Sequence, residues 1–241
     1  SEFDDIPFLK NWKDKSRKQL GTSGSGNHYV EYGEVEIHGD EGLNGVPKGR
    51  YLGIMTHSGS RGMGANVAKY YTDLAMKQCV LPPEAKWLAW LDMNTEEGQE
   101  YWLAMNLCGD YASACHHDIH KRLAKAIGMK PLTIIENHHN FAWKEMHDGR
   151  ELIVHRKGAT PAGKGVLGII PGSMATSAFI VEGKGNPDSL NSASHGAGRL
   201  MSRTQARNTF NKKMLQEVLD TNRVTLVDAG IDESPMAYKD I

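Results

Sequence analysis

The sequence predicts an α+β fold, and three observations carry that prediction. Short apolar runs punctuated by Gly and Pro read as strands. Two long stretches carry helical periodicity. The two kinds of element do not alternate regularly, as a doubly wound parallel sheet would require. Mixed sheets of short strands flanked by helices are therefore expected. At 241 residues the chain can bury one sizeable core or two small ones, and one elaborated domain is the simpler expectation.

The elements follow in order. Ser1-Glu2-Phe3 reads as a cloning remnant. Residues 10–20 carry five positive charges against one negative. That pattern suits a solvated helix or linker, or a contact with RNA or DNA phosphates. After Gly21-Thr22-Ser23-Gly24-Ser25-Gly26, Tyr29–Ile37 is strand-like, with Val30, Tyr32, Val35 and Ile37 as its apolar positions. Residues 39–49 read as a polar turn, and Tyr51–Thr56 as a short strand that delivers His57.

Gly62–Lys77 reads as a helix, with Val67, Tyr70, Tyr71 and Leu74 at helical spacing. The Ser-Gly-Ser-Arg-Gly loop ahead of it suits an anion, because free N–H groups and the helix dipole both favour negative charge. Tyr101–Ile127 is the clearest helix. Tyr101, Met105, Cys108, Ala112, Cys115, Ile119 and Leu123 form one stripe, and Gly128 ends it. Strands are expected at Thr133–Ile135, Leu152–Arg156, Val166–Ile170, Ala178–Val181 and Val224–Val227, with a polar helical segment over 202–222.

A formal net charge of −1 does not mark the whole chain as a nucleic-acid binder, although local basic clusters remain available. Val166–Ile170 is among the longest apolar runs and is far too short to span a bilayer, so no membrane association is expected. Cys79, Cys108 and Cys115 are odd in number and lack a C-x-x-C pair. Reduced thiols and a cytoplasmic location follow as expectations, with Cys108 and Cys115, one heptad apart in a helical pattern, expected in the core.

Chemistry concentrates in four histidine loops: Gly26-Asn27-His28, Thr56-His57-Ser58-Gly59-Ser60-Arg61, Asn137-His138-His139-Asn140 and Ser194-His195-Gly196-Ala197-Gly198-Arg199. Imidazole binds Mn²⁺, Fe²⁺ or Zn²⁺, and glycine lets a backbone approach a phosphate closely. His28, His57 and His139 each adjoin a strand-like run, which suits a shared metal site or hydrogen-bonded core positions. Asn27 and Asn140 could orient a phosphate or ribose, or simply tolerate left-handed geometry. His116 and His120 are four apart and could grip a metal together, or form a solvated or partly packed helix face. His38 and His147 read as surface residues in polar turns. Arg156-Lys157 suits a phosphate clamp, Pro171-Gly172-Ser173-Met174 offers backbone N–H groups and a hydroxyl, and His195 beside small residues suits attack on phosphorus.

Together these elements resemble the RtcB family of RNA-splicing and RNA-repair ligases. The resemblance rests on Leu20 through His28, His57-Ser58-Gly59-Ser60-Arg61-Gly62, His138-His139-Asn140, His155-Arg156-Lys157-Gly158-Ala159, Ile170-Pro171-Gly172-Ser173-Met174, Ser194 through Arg203, and Asp232 through Asp240, all in family order. It implies a GTP- and Mn²⁺-dependent ligase that joins an RNA 3′-phosphate or 2′,3′-cyclic phosphate to a 5′-hydroxyl through a histidine–GMP intermediate. By that resemblance His195 is the nucleophile, and His28, His57 and His139 are metal ligands. Asn27, Glu31, Asn140, Ser173, Gly196, Ala197, Gly198 and Tyr238 contact the nucleotide; Arg61, Arg156, Lys157 and Arg199 serve RNA or phosphate. The implied partners are RNA ends (tRNA halves or broken RNAs), GTP and an activating protein.

This sequence departs from the family pattern in three places. The family's upstream Asp-x-Gly-Cys motif, which supplies a carboxylate and a thiolate to two Mn²⁺ ions, does not occur, nor does the terminal segment with its guanine-site lysine. Ala175 follows Met174 where the family more often has Gly, which affects the expected hydroxyl contact of Ser177. The expectation is therefore an incomplete RtcB-like catalytic domain over 20–241 behind a basic segment at 1–19. The alternatives are a ligation-incompetent fragment that binds nucleotide or RNA, and a metal-dependent phosphoesterase.

Overall fold

The computed structural model describes residues 2–24 and 26–241; Ser1 of the expected cloning remnant and Ser25 of the first glycine loop lie outside the described residues. The chain divides into two compact units, Ser1–Thr133 and Ile134–Ile241. Both helices and strands are present, and the strands pair only in small sheets, so the α+β expectation holds.

The first unit opens with α1 (Glu2–Asp5), α2 (Pro7–Lys10) and α3 (Lys13–Gln19). The basic segment is thus helical rather than a linker. Its Lys15, Arg17 and Lys18 are exposed, while Ser16 is buried and its carbonyl accepts the Tyr111 hydroxyl at 2.7 Å. β1 (Tyr29–Ile37) and β2 (Gly49–His57) form an antiparallel ladder with Tyr29 opposite His57. α4 (Arg61–Gln78) and α5 (Glu96–Ala126) supply most of the core with Leu9: Met63, Val67, Tyr71, Ala104 and Cys108.

α5 begins one turn earlier than its apolar stripe suggests. Thr95 caps it by accepting the Gly98 N–H at 3.2 Å, and Glu96 and Glu97 complement the dipole in the first turn. Gly128, at φ +70°, closes the far end, as the glycine signal predicts. Cys108 and Cys115 are buried, as expected of core thiols.

The second unit holds three small antiparallel pairs. β3 (Asn140–His147) pairs with β4 (Arg150–Lys157), β5 (Ala159–Pro161) with β8 (Ser192–Ser194), and β6 (Leu167–Ile170) with β7 (Phe179–Glu182). The β3–β4 turn is Asp148-Gly149 with both φ angles positive, 50° and 74°. That hand matches the twist of the flanking strands. α6 (Arg203–Thr209) and α7 (Lys212–Thr221) replace the single helical segment expected over 202–222. Phe210 is extended, and Asn211 starts a new helix by accepting the Met214 N–H at 3.0 Å.

Two expected strands do not form. Val224 is held by the last turn of α7 through its N–H to Leu219 O, and Val227 is fully exposed. Thr133–Ile135 runs as irregular chain without ladder partners, with Ile134 half exposed. His147 also departs from its expected surface role. It is buried, with Nε2 3.0 Å from Glu145, because the strand turns residue 147 to the same face as Glu145. No helix among the described residues is long and apolar enough to cross a membrane.

Candidate functional site

In the first unit the site builds from the end of β2. Cross-strand pairing sets Tyr29 opposite His57, with ring centroids 5.6 Å apart, and His28 places its ring 5.8 Å from that of His57. Arg61 reaches back from the start of α4, donating from Nε to Thr22 Oγ1 at 3.1 Å and from Nη1 to His28 Nδ1 at 3.4 Å. A guanidinium can only donate, so that nitrogen of His28 presents a lone pair.

Arg61 holds this pose with φ +56°, an uncommon conformation for a side chain of its size. Gly24 adopts φ +108°, a conformation that favours glycine, and a Cβ there would displace the Arg61 guanidinium from His28 Nδ1. Glu31 is on the same face of β1 as Tyr29, and burial raises its carboxyl above the ordinary value of 4.5. Asn27 is exposed in the turn before β1.

In the second unit His195 follows β8. Its Nδ1 lies 2.7 Å from the carbonyl oxygen of Gly158, whose own N–H donates to His139 O at 2.9 Å. The His139 and His195 rings stack with centroids 5.1 Å apart. A carbonyl only accepts, so Nδ1 carries the proton and the neutral ring keeps its lone pair on Nε2. Gly158 adopts φ +73°, and a Cβ there would touch the His195 ring at 3.4 Å.

The loop beyond His195 is held on two sides. Ala197 N–H donates to Pro171 O at 3.0 Å, and Lys239 N–H to Gly198 O at 3.0 Å. A Cβ on Gly196 would meet Pro171 O at 3.1 Å. Ser173 N–H donates to Thr176 Oγ1 at 2.6 Å, closing the Pro-Gly-Ser-Met turn. Asn137 pins the start of the third histidine loop to β6, donating to Leu167 O at 3.1 Å and accepting the Ile169 N–H at 2.9 Å.

The four cations expected at phosphate are placed unequally. Lys157, opposite Asn140 in the hairpin, is exposed. Arg156 is buried instead of forming a clamp with it, because neighbouring residues of a strand face opposite ways. Its guanidinium grips Glu145 through two bonds of 2.6 and 2.9 Å and also donates to Ser192 Oγ and Leu190 O, both at 2.8 Å. Those bonds hold the Glu145 carboxyl below its ordinary value, burial opposing them and His147 assisting.

Arg199 is likewise engaged within its unit. It donates to Tyr238 Oη at 3.1 Å and to Asp232 O at 2.6 Å, and lies 4.9 Å over the Tyr238 ring. Tyr238 in turn donates to Glu233, and its hydroxyl is pushed up to about 12 by burial and then by Glu233. Arg61 is committed to Thr22 and His28, as above.

Imidazole donors fit a divalent cation by type. Among the described residues, however, no three His, Cys, Asp or Glu side chains gather as a metal-holding group. A cavity of about 380 Å³ in the second unit is lined by Thr160, Ile170, Val181, Glu182, Lys184 and Ser192 among others, and none of the expected site residues lines it. Sequence reasoning passed over Glu145, and it named Gly158 and Asn137 within their motifs without giving either a role of its own. Gly158 acts through its carbonyl, which no residue-type pattern reveals.

Residues 4–241 match the family model described as tRNA-splicing ligase RtcB. The chain is 40% identical to the RNA-splicing ligase RtcB of Escherichia coli K12 over 93% of its own length and 55% of that protein's. It is 34% identical to the tRNA-splicing ligase RtcB of Methanococcus maripaludis, over 100% of this chain and 58% of the relative. Against the Nanoarchaeum equitans tRNA-splicing ligase RtcB the figures are 33%, 95% and 55%. The chain therefore belongs to the RtcB family, and it spans somewhat more than half the length of the curated relatives it matches.

Proposed function

We propose that the chain carries the guanylate-transfer chemistry of an RNA ligase that joins 3′-phosphate or 2′,3′-cyclic phosphate ends to 5′-hydroxyl ends. The observation that supports this reading best is the 2.7 Å contact from His195 Nδ1 to Gly158 O. It leaves the Nε2 lone pair available for attack on phosphorus, and the same carbonyl stabilises the positive ring once Nε2 is bonded.

In that reaction His195 Nε2 bonds to the α-phosphorus of GTP while the bond to the pyrophosphate leaving group breaks. An oxygen of the RNA 3′-phosphate, which for a cyclic end forms first as water attacks phosphorus and the bond to O2′ breaks, then displaces the imidazole and takes up the guanylate. The 5′-hydroxyl finally attacks the RNA phosphorus, its proton passes to a base, and GMP leaves. Ser173 would offer a hydroxyl, and the small residues Gly196, Ala197 and Gly198 would let the nucleotide approach the backbone closely; Tyr238, paired with Arg199, and Asn140, opposite Lys157, are the further proposed contacts. Glu31 and Asn27 are the proposed nucleotide contacts within the first unit. His28, His57 and His139 would hold Mn²⁺, which supplies charge neutralisation of crowded phosphates when bound. Lys157 is the cation best exposed for RNA. RNA ends, an activating protein partner and a cytoplasmic setting complete the proposal.

Intact-protein mass spectrometry after incubation with GTP and Mn²⁺ tests it. A GMP adduct is expected on the wild-type chain and not on His195→Ala. Nucleotide binding without an adduct would favour a ligation-incompetent binding fragment, and phosphate release from model esters would favour a phosphoesterase.

A further inference from the structure

We infer that His116 and His120 are positioning residues for His57, an assignment that rests on the reading of His57 as a metal ligand. Along β2 side chains alternate between faces. The His57 ring lies near those of His28 and Tyr29, and the side chain of Thr56, which pairs with Val30 in the ladder, points to the opposite face. α5 contacts both neighbours of His57. His120 Nε2 is 2.8 Å from Thr56 Oγ1, and the Ser58 N–H donates to His116 Nε2 at 3.1 Å.

Two histidines one helical turn apart thus grip the residue before and the residue after His57. The backbone amide of Ser58 can only donate, so His116 accepts through a neutral ring that carries its proton on Nδ1. With each Nε2 engaged in this way, the i, i+4 pair acts as a brace for β2 rather than as a metal grip of its own.

Ser58 extends the brace to the other ligand. It is buried, and its hydroxyl donates to Ser23 O at 2.8 Å, in the glycine loop that leads into His28. His116 therefore steadies one backbone junction from which both His57 and the approach to His28 depart. Shells behind a metal site of this kind typically change affinity by about 10- to 100-fold when removed.

The test uses the 241-residue chain with His116→Ala, His116→Gln and His57→Ala. Three readings are taken: amide hydrogen exchange at Ser58, the NMR shifts of the His57 imidazole, and Mn²⁺ affinity by electron paramagnetic resonance. In His116→Ala the Ser58 amide should exchange at least about tenfold faster, the His57 shifts should move, and Mn²⁺ affinity should fall about 10-fold or more. In His116→Gln the amide oxygen can accept the same N–H, so all three should return toward wild type. Unchanged Ser58 exchange and His57 shifts in His116→Ala, or a His116→Gln variant no better than Ala, would overturn the assignment. Undiminished Mn²⁺ affinity in His57→Ala, or no Mn²⁺ uptake by the wild-type chain, would sink the ligand reading alone. The exchange and shift measurements would still decide the role of His116.

Discussion

Two pairs of histidine rings lie at similar separations in the two units, 5.8 Å for His28 and His57 and 5.1 Å for His139 and His195. Their hydrogen bonds give them different chemistry. His28 Nδ1 accepts from a cation, Arg61, whereas His195 Nδ1 donates to a carbonyl, Gly158. In the first, the neutral ring engages its Nδ1 lone pair with Arg61 and carries its proton on Nε2. In the second, the proton sits on Nδ1 and the lone pair on Nε2. Ring proximity alone sets neither tautomer; the partner of each nitrogen does.

The scaffolding differs as well. Beside the first pair, side chains of α5 bond to Thr56 and Ser58; the second rests on backbone groups, next to an ion pair in which Arg156 is buried and Glu145 partly exposed. Breaking that ion pair should give the largest effect. Glu145→Ala leaves the buried Arg156 guanidinium without its carboxylate. A loss of about 3–5 kcal/mol is expected for such a change, read by denaturant or thermal unfolding. GMP-adduct formation at His195 should fall with it. A loss under about 1 kcal/mol would show that Ser192 Oγ and Leu190 O hold Arg156 well enough alone.

The same pair fixes a pH dependence. Glu145 is held below its ordinary 4.5, chiefly by the Arg156 bonds, so its contribution is fully present above that value and is lost as pH falls through the lowered one. Melting followed from pH 7 into the acid range should show a limb below about pH 4.5 that Glu145→Gln flattens. An acid limb of equal depth in both proteins would remove Glu145 as its source.

How far these features could be read from the chain depends on the kind of group involved. α4 and α5 were legible because each buries an apolar stripe at helical spacing. β1 and β2 were legible because β-forming residues run between glycine-rich turns, although Val30, Tyr32 and Leu52 stay exposed; residues 29–37 were placed to the residue. β3 was not, because Lys144 and Glu145 interrupt its apolar character, although Asp148-Gly149 offered a hairpin signal. β5 and β8 are three residues each and pair across some thirty positions, beyond any local pattern. The candidate histidines were legible from their motifs. Their tautomers were not, because the Gly158 carbonyl and the Ser58 amide are backbone groups that every residue carries. Arg156 and His147 were misread for a third reason: the buried face of β4 and its partner is defined only once their register is known.

A smaller effect is expected at the backbone end of the comparison. Gly158→Ala must hold φ +73° with a side chain, although its Cβ would make only ordinary contact with the His195 ring at 3.4 Å. The left-handed conformation should cost about 1–2 kcal/mol, and relief of that strain should move the carbonyl off Nδ1 and slow the GMP adduct. If His195 guanylates at the wild-type rate in Gly158→Ala, the carbonyl contact does not set its reactivity and the contrast with His28 loses its basis.

The smallest effect tests whether the first unit carries a carboxylate at a cost that the second unit avoids. Glu31 and Glu145 are the same residue type shifted in opposite directions, Glu31 upward by burial and Glu145 downward by Arg156. For Glu31 the fold favours the protonated form, so its contribution is greatest in acid and declines as pH rises past 4.5. Glu31→Gln removes the ionisation and keeps the shape. The variant should therefore melt slightly above wild type at pH 7, with the two curves converging in acid. A carboxylate retained against its own stability fits a group kept to meet a cation or a nucleotide. If Glu31→Gln instead melts below wild type at pH 7, Glu31 already has a favourable partner in the fold, and the two units handle their carboxylates alike.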